Sequence, residues 1–211
     1  MKERWPRAVL FDFDGVIVNS EPLHLRAFQE ALAREHVELT EKEYYEELIG
    51  FDDRGAIRRV FEKRRMPLSP GTVLRLMAGK SEVMMDMIHR HPREFHALPG
   101  VEEFVRGLWR QRPLAICSGA LREEIDLMLD GVALRDCFSV IVAAEDVTVG
   151  KPDPEGYLLA AKRLGVPIEE CLVFEDSAAG VKAAKAAGAH VAIVGGHVAE
   201  AEGNYALANY L

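Results

Sequence analysis

Two aspartates close the first apolar run of the chain. Ala8 to Phe11 is predicted to form a short strand buried on both faces of a parallel sheet, and Asp12 and Asp14 follow at its carboxyl end. Ligands of open α/β sheets bind at that end, near a topological switch point. Because alternate residues of an extended chain face the same side, one site can use one carboxylate as nucleophile or metal ligand and the other as acid or base. The alternative is a solvated turn built on Asp14-Gly15.

A small polar loop follows a second apolar segment, Leu114 to Cys117. It consists of Ser118, Gly119 and Ala120 and leads into a predicted helix. A hydroxyl together with free backbone N–H groups at a helix start can bind an anion. The alternative is an ordinary helix cap supplied by Ser118.

Two further segments add charge. Lys151 stands between a glycine and a proline, which restrict the backbone so that the ammonium group can be held against an oxyanion; the alternative is a solvated loop lysine. Glu175 and Asp176 follow the apolar stretch Cys171 to Phe174, again at a predicted strand end. The alternative is a helix cap, which explains the next residue, Ser177, but does not explain the two acids before it.

The elements that must position these residues alternate between strand and helix after Leu98-Pro99-Gly100. This alternation predicts an α/β fold, a Rossmann-like parallel sheet with right-handed crossovers. The predicted helices are 101–111, 121–129, 154–164 and 178–187, and the predicted strands after the first are 114–117, 138–143, 171–174 and 191–194.

A helical block interrupts this pattern directly after the first strand. Helices are predicted over 21–35, 41–50, 53–65 and 69–91, with Pro22 at the first turn of the first one. About seventy helical residues are too many for a normal crossover, so they are interpreted as an inserted lid. We therefore expect an α/β core domain of residues 1–19 and 96–211 and an α-helical domain of residues 20–95.

Composition excludes several classes of protein. With 211 residues and 49% hydrophobic content the chain can bury a core, and its net charge of -8 argues against nucleic acid or an anionic membrane as partner. Its three cysteines lack metal or redox spacing, and no apolar signal or membrane-spanning run is present. We expect a cytoplasmic protein and a monomer. A basic cluster at helical spacing is interpreted as a solvated face; it comprises Arg54, Arg58, Arg59, Lys63, Arg64 and Arg65.

The segment Asp12-Phe13-Asp14-Gly15 resembles the first motif of the haloacid dehalogenase (HAD) superfamily, and its continuation is similar to the β-phosphoglucomutase-like phosphatase branch. The loops at Ser118, at Lys151-Pro152-Asp153-Pro154 and at Glu175-Asp176 resemble the second, third and fourth motifs, in the family's order. The resemblance covers nearly the whole chain. It implies that the helical block is the cap, which in this family closes over the active site.

The resemblance also implies a mechanism and a cofactor. Asp12 would attack phosphorus and form an aspartyl phosphate, while Asp14 would act as acid and then as base. Ser118 would hydrogen-bond the phosphoryl group, and Lys151 would offset negative charge around it. The implied cofactor is Mg²⁺, a hard cation that prefers oxygen ligands.

The implied ligands of Mg²⁺ are Asp12, the carbonyl of Asp14, Asp176, and Glu175 either directly or through water. The substrate would be a small phosphorylated metabolite, a sugar phosphate in this branch. The expected substrate contacts are Ser118, Gly119, Ala120, His24, Arg54 and Lys80.

A sugar-phosphate mutase is the first alternative to a phosphatase. His24 and Lys80 resemble the cap-hinge histidine and the substrate-facing cap lysine of β-phosphoglucomutases. Against it, Asp53 stands where those mutases carry a phosphate-gripping arginine, Arg54 comes one place later, and the Ser118 loop is shorter and less polar. A non-catalytic binding protein on the same fold is the second alternative, and the intact acidic motifs argue against it. The acid at Asp14 argues against a dehalogenase.

Overall fold

The computed structural model describes residues 5–48, 51, 53–90 and 96–195 and the backbone of 205–207. The chain divides into two compact units. One unit is the helical segment Ser20–His91, and the other is built from Met1–Asn19 and Pro92–Leu211. Among the described residues, no helix has both the length and the apolar character needed to cross a bilayer.

The α/β unit contains a parallel sheet with the strand order β3-β2-β1-β4-β5-β6. This arrangement confirms the predicted Rossmann-like parallel sheet and adds a sixth strand, which is only three residues long and therefore too short for any periodicity to predict. The strands are β1 (Ala8–Phe11), β2 (Leu114–Cys117), β3 (Val140–Val142), β4 (Cys171–Glu175), β5 (His190–Val194) and β6 (Tyr205–Leu207).

The centre of the sheet explains the wholly apolar sequence of β1. All four of its residues are buried, and it pairs with β2 on one side and β4 on the other. Ala8 and Leu10 belong to a core cluster with residues of β4 and of two later helices. Phe11 instead stacks on Phe174 at 5.0 Å between ring centroids, and Phe104 packs edge-on to both rings.

The helices of this unit are α5 (Val101–Trp109), α6 (Arg122–Gly131), α7 (Glu155–Leu164) and α8 (Ala178–Ala187). Short 3₁₀ turns precede β3 at Arg135–Cys137, follow it at Ala144–Asp146, and precede β4 at Ile168–Glu170. A strand is predicted over residues 138–143, but the observed strand β3 is shorter and covers only Val140–Val142. The first 3₁₀ turn ends directly before the predicted start.

The helical unit consists of α1 (Glu21–Ala33), α2 (Glu41–Glu47), α3 (Asp53–Lys63) and α4 (Pro70–Arg90). These helices enclose a core of their own that includes Phe28, Leu32 and Ile57. The backbone NH of Glu43 donates to Thr40 Oγ1 at 3.2 Å, so that Thr40 caps α2.

Two of these helices end before their predicted ends for a common reason. His36 (φ 57°) and Arg65 (φ 52°) take left-handed conformations after α1 and α3, and that geometry terminates a helix. Ser69 accepts a hydrogen bond from the NH of Thr72 at 3.1 Å, so it caps α4 rather than belonging to it. The predicted ends at 50 and 91 lie outside the described residues.

Candidate active site

Asp12 and Asp14 lie directly after β1, at the point where the strand order reverses between β1 and β4. The backbone NH of Asp12 donates to the carbonyl of Phe174 at 2.9 Å, which ties the end of β1 to β4, and the Asp12 residue is buried. Gly15 then turns the chain with φ at 75°. A Cβ at Gly15 would lie 2.1 Å from Asp176 Oδ2, so the two acidic loops can approach only because this residue is glycine.

Lys151 is held between two carboxylates. Its ammonium nitrogen donates to Asp12 Oδ1 and to Glu175 Oε1, each at 2.6 Å. Burial alone would lower the pKa of Lys151, but the charges of Asp12 and Glu175 outweigh it and hold that pKa well above its usual value. Lys151 is therefore a fixed cation beside Asp12.

Glu175 is fully buried, and the fold surrounds it with donors. Its Oε2 accepts from the backbone NH groups of Asp176 and Ser177, both at 3.0 Å, and from Ser177 Oγ at 2.9 Å. Ser177 Oγ in turn accepts from the NH of Gly180 at 3.0 Å, which caps α8. A Cβ at Gly180 would lie 1.6 Å from Glu175 Oε1, so only glycine lets the first turn of α8 pass this carboxylate.

Tyr157 completes this environment, and sequence reasoning missed it. Its hydroxyl donates to Glu175 Oε1 at 2.8 Å, and Lys151 Nζ lies 5.2 Å from the centroid of its ring. Burial of the ring and the charge of Glu175 hold the pKa of Tyr157 well above its usual value, so the phenol keeps its proton. In the sequence, Tyr157 is one of several apolar or aromatic residues of a predicted core-facing helix, and nothing there marks it as polar in role.

The cluster carries more negative than positive charge. Burial raises the pKa of Asp12 to about 7, and repulsion from Glu175 and Asp14 adds to this against the attraction of Lys151. Burial raises the pKa of Asp176 to about 8, with repulsion from Asp12 and Glu175. Oxygen atoms of Asp12, Glu175 and Asp176 lie within 4.8 Å of one another. An all-oxygen donor set with surplus negative charge fits a hard divalent cation.

The loop after β2 also reaches this strand edge. Ser118 is buried, its Oγ accepts from the NH of Ala120 at 3.0 Å, and Oγ lies 3.5 Å from Asp14 Oδ2. Gly119 is exposed, and a Cβ on it would meet nothing within 4 Å. The structure therefore brings together Asp12, Asp14, Ser118, Lys151, Glu175 and Asp176, all within the α/β unit.

The remaining predicted residues belong to the helical unit. Lys80 is almost completely buried, and its Nζ lies 2.8 Å from His24 Nδ1 and 3.1 Å from Asp53 Oδ1. Arg54 is exposed on α3. The cluster of His24, Asp53 and Lys80 thus connects α1, α3 and α4 through one ammonium group.

The family model described as haloacid dehalogenase-like hydrolase matches residues 9–194 of the chain. The chain belongs to this family. This HAD-like hydrolase is 32% identical over 182 residues to a phosphorylated carbohydrates phosphatase of Thermotoga maritima, with 86% of this chain and 81% of the relative covered. It is 31% identical to the fructose-1-phosphate phosphatase YqaB of Escherichia coli, with 89% and 95% covered.

Solved structures of similar proteins lead to the same family. CbbY from Rhodobacter sphaeroides in complex with phosphate superposes on the HAD-like hydrolase with a TM-score of 0.84 at 28% identity, covering 97% of this chain and 94% of that one. A structure described as a putative β-phosphoglucomutase from Thermotoga maritima gives a TM-score of 0.69 at 29% identity, with 95% and 94% covered. The predicted membership in the HAD superfamily and its phosphatase branch is confirmed.

Proposed function

We propose that this HAD-like hydrolase is a Mg²⁺-dependent phosphatase of small phosphorylated metabolites, sugar phosphates above all. The observation that carries the proposal is the contact of the Lys151 ammonium with Asp12 inside a cluster of surplus carboxylates at the sheet's switch point. The named phosphatases among its relatives support a phosphate ester as substrate. Such a substrate is anionic, and the site offers it a fixed cation and a site for a metal ion.

In the proposed reaction a carboxylate oxygen of Asp12 attacks phosphorus and the ester P–O bond breaks. Asp14 gives its proton to the leaving oxygen, so the product leaves as a neutral alcohol and Asp12 carries the phosphoryl group. Water then attacks the same phosphorus while Asp14 takes up a proton from it. The bond between phosphorus and the Asp12 oxygen breaks, which releases phosphate and restores the carboxylate.

The other residues hold charge in place during these steps. Lys151 neutralises part of the charge of Asp12, so that an anionic ester can approach this carboxylate. The hydroxyl of Ser118 donates a hydrogen bond to a phosphoryl oxygen. Asp12, Asp176 and the Asp14 carbonyl would hold Mg²⁺, with Glu175 beside them. The bound ion would supply Lewis-acid stabilisation of the charge on the phosphoryl oxygens.

We further propose that the helical unit acts as the cap of the enzyme and selects the substrate. His24, Arg54 and Lys80 would contact the part of the substrate remote from phosphorus, while Gly119 and Ala120 would offer backbone NH groups near it. The family relationship supports this assignment. The buried position of Lys80 between His24 and Asp53 supports a fixed rather than a mobile ammonium.

A mutase is the second candidate, because the contact between His24 and Lys80 joins the two residues that resemble those of β-phosphoglucomutases. A mutase passes the phosphoryl group from Asp12 to a second substrate hydroxyl instead of to water. Asp53 favours the phosphatase, since an acid at this position pairs with Lys80 and repels a second phosphate group.

The test compares phosphate release with isomerisation. With Mg²⁺ present and no bisphosphate primer, we expect phosphate release from hexose and pentose phosphates and from p-nitrophenyl phosphate. With primer, we expect the conversion of β-glucose 1-phosphate to glucose 6-phosphate to be slower than hydrolysis. Efficient primed isomerisation with negligible phosphate release would establish the mutase instead, and neither activity on any phosphate ester would reject both.

A further inference from the structure

Tyr157 lies in the third position of α7, and both the core and the motif loop before the helix set its position. Its side chain is buried to 1% exposure in the cluster that contains Cys117, Val142 and Val173. The start of α7 is fixed by Asp153 Oδ1, which accepts from the NH of Glu155 at 3.0 Å. The hydroxyl of Tyr157 is thereby directed at the buried carboxylate of Glu175.

Glu175 accepts five hydrogen bonds, which is more than the usual acceptor capacity of a carboxylate. A carboxylate offers about four lone-pair sites. Oε1 accepts from Lys151 and Tyr157, and Oε2 accepts from two backbone NH groups and the Ser177 hydroxyl. The donors come from the loop before α7, which carries Lys151, from the first turn of α7, and from the junction between β4 and α8. Glu175 therefore has no acceptor site left for a further donor. The strength of each of its hydrogen bonds depends on the other donors to the same oxygen.

Lys151 divides its charge between two oxygens at the same distance. Its Nζ lies 2.6 Å from Glu175 Oε1 and 2.6 Å from Asp12 Oδ1. Tyr157 donates to the same Oε1, and two donors that share one acceptor oxygen compete for its negative charge. Without the hydroxyl, Oε1 would attract Lys151 more strongly, and the ammonium would move away from Asp12.

We propose that Tyr157 is a positioning residue, which acts through Glu175 to keep the Lys151 ammonium on Asp12. This inference rests on the proposed function, in which Asp12 is the nucleophile. Tyr157 does not touch the reacting atoms. Its contribution appears in the transition state, where the charge of Lys151 must remain between Asp12 and the phosphoryl oxygens.

The first test is Tyr157→Phe, with Tyr44→Phe as matched control. Tyr44 is also buried and donates its hydroxyl proton to a carboxylate, Glu21 Oε2, at 2.6 Å, but it belongs to the helical unit. With p-nitrophenyl phosphate we expect Tyr157→Phe to lower kcat by about 10-fold and to leave KM within about 2-fold, the loss of one hydrogen bond to a charged group. Tyr44→Phe should change neither constant. An unchanged kcat, or equal losses in both variants, would overturn the proposal.

The second test separates action through Glu175 from a general effect on packing. In the Glu175→Gln background the change Tyr157→Phe should cost little further activity, because the carboxylate through which it acts is gone. Fully multiplicative losses would contradict the proposal. If Tyr157→Phe has a lowered melting temperature, both tests are repeated with Tyr157→Met, which also replaces the phenol by an apolar side chain.

The last readout does not depend on turnover. Crystal structures of the wild type and of Tyr157→Phe should show Lys151 Nζ within hydrogen-bond distance of Asp12 only in the wild type, with a separation beyond about 3.2 Å in the variant. An unchanged separation would overturn the positioning role. If the wild type hydrolyses no phosphate ester, the proposed function fails, and this distance still decides how Tyr157 acts on Lys151.

Discussion

Each of the two units holds one lysine largely away from solvent, and the surroundings of the two lysines differ. In the α/β unit the side chain of Lys151 is 18% exposed and lies 2.6 Å from two carboxylates. In the helical unit the side chain of Lys80 is 4% exposed, and its Nζ lies 3.1 Å from Asp53 Oδ1 and 2.8 Å from His24 Nδ1. Lys80 also lies 5.3 Å from the ring centroid of Phe28.

The difference is one of charge balance. The charges of Lys80 and Asp53 cancel, so the free-energy cost of their contact is mainly that of desolvation. The contact fixes the position of both side chains. Around Lys151 the acids outnumber the cation. Burial, together with repulsion between the acids, raises the pKa values of Asp12 and Asp176 to about 7 and about 8. Such an imbalance destabilises the fold unless a further cation binds. We infer that the α/β unit holds its surplus charges for chemistry, whereas the helical unit holds a balanced pair of charges in a fixed position.

The largest effect is expected where the nucleophile is removed. Asp12→Asn should lower turnover of p-nitrophenyl phosphate by 10⁴-fold or more, on the order seen when a nucleophile is lost, because an amide does not attack phosphorus. The variant should melt no lower than the wild type without Mg²⁺, since it removes one of the crowded charges. Activity and circular dichroism melting are measured on the same samples. Appreciable turnover by the folded variant would refute the assignment of Asp12.

The charge surplus predicts how stability depends on pH without metal. Since the pKa of Asp176 is raised to about 8 in the folded state, that state binds more protons than the unfolded state at pH values between the ordinary pKa of 3.8 and about 8. Metal-free protein should therefore lose stability as pH rises through this window, and Mg²⁺ should restore it most strongly at the upper end. Thermal melts with chelator and with Mg²⁺ measure this effect.

Asp176→Ala supplies the variant for the same measurement. It should flatten the pH dependence of the metal-free melting temperature, weaken Mg²⁺ binding in calorimetry and weaken Mg²⁺ dependence of activity. Ca²⁺ should inhibit the wild type, because its larger and more flexible shell misplaces the reacting groups. The prediction is wrong if the enzyme is fully active in excess chelator, or if the metal-free melting temperature does not change with pH.

The composition of the α/β site was predictable for a topological reason. Asp12, Ser118, Lys151 and Glu175 follow or approach strand ends, and parallel strands bring their carboxyl ends to one edge of the sheet. Apolar runs alone predict that these loops meet at one edge. For Ser118 and Lys151 the choice over a helix cap and a solvated lysine rests on the resemblance to the family's motifs. The strand order at the switch point, β1 beside β4, agrees with that reasoning.

The contacts that depend on helix packing were not predictable in the same way. Tyr157 reads as an ordinary core residue, because periodicity reports that a side chain is buried and not what its hydroxyl meets. The cluster of His24, Asp53 and Lys80 joins three helices through side chains far apart in the sequence, and no spacing rule relates them. The substitution of Asp53 for an arginine was visible in the sequence, but its pairing with Lys80 required the structure.

The smallest effect tests whether the balanced cluster of the helical unit also serves the substrate. Lys80→Met keeps an unbranched apolar side chain and removes the ammonium. We expect KM for hexose phosphates to rise by several-fold, about 1 kcal/mol of binding, and KM for p-nitrophenyl phosphate to change less, because that ester lacks the sugar hydroxyls that Lys80 would hold. The values of kcat should stay close to those of the wild type, since the substitution leaves Asp12 and Lys151 untouched. Steady-state kinetics with both substrates measure the difference.

The control for Lys80→Met is Arg75→Met on the same helix. Arg75 is 63% exposed at its side chain and pairs with Glu35 at the surface, so its removal tests the loss of a positive charge from α4 without the loss of the buried cluster. It should leave both KM values unchanged, because an exposed ion pair contributes little. If Lys80→Met lowers the melting temperature but raises KM equally for both substrates, Lys80 holds only the helices together. The helical unit would then select substrate through residues other than this lysine. Lys151 would be a catalytic charge and Lys80 a purely structural one.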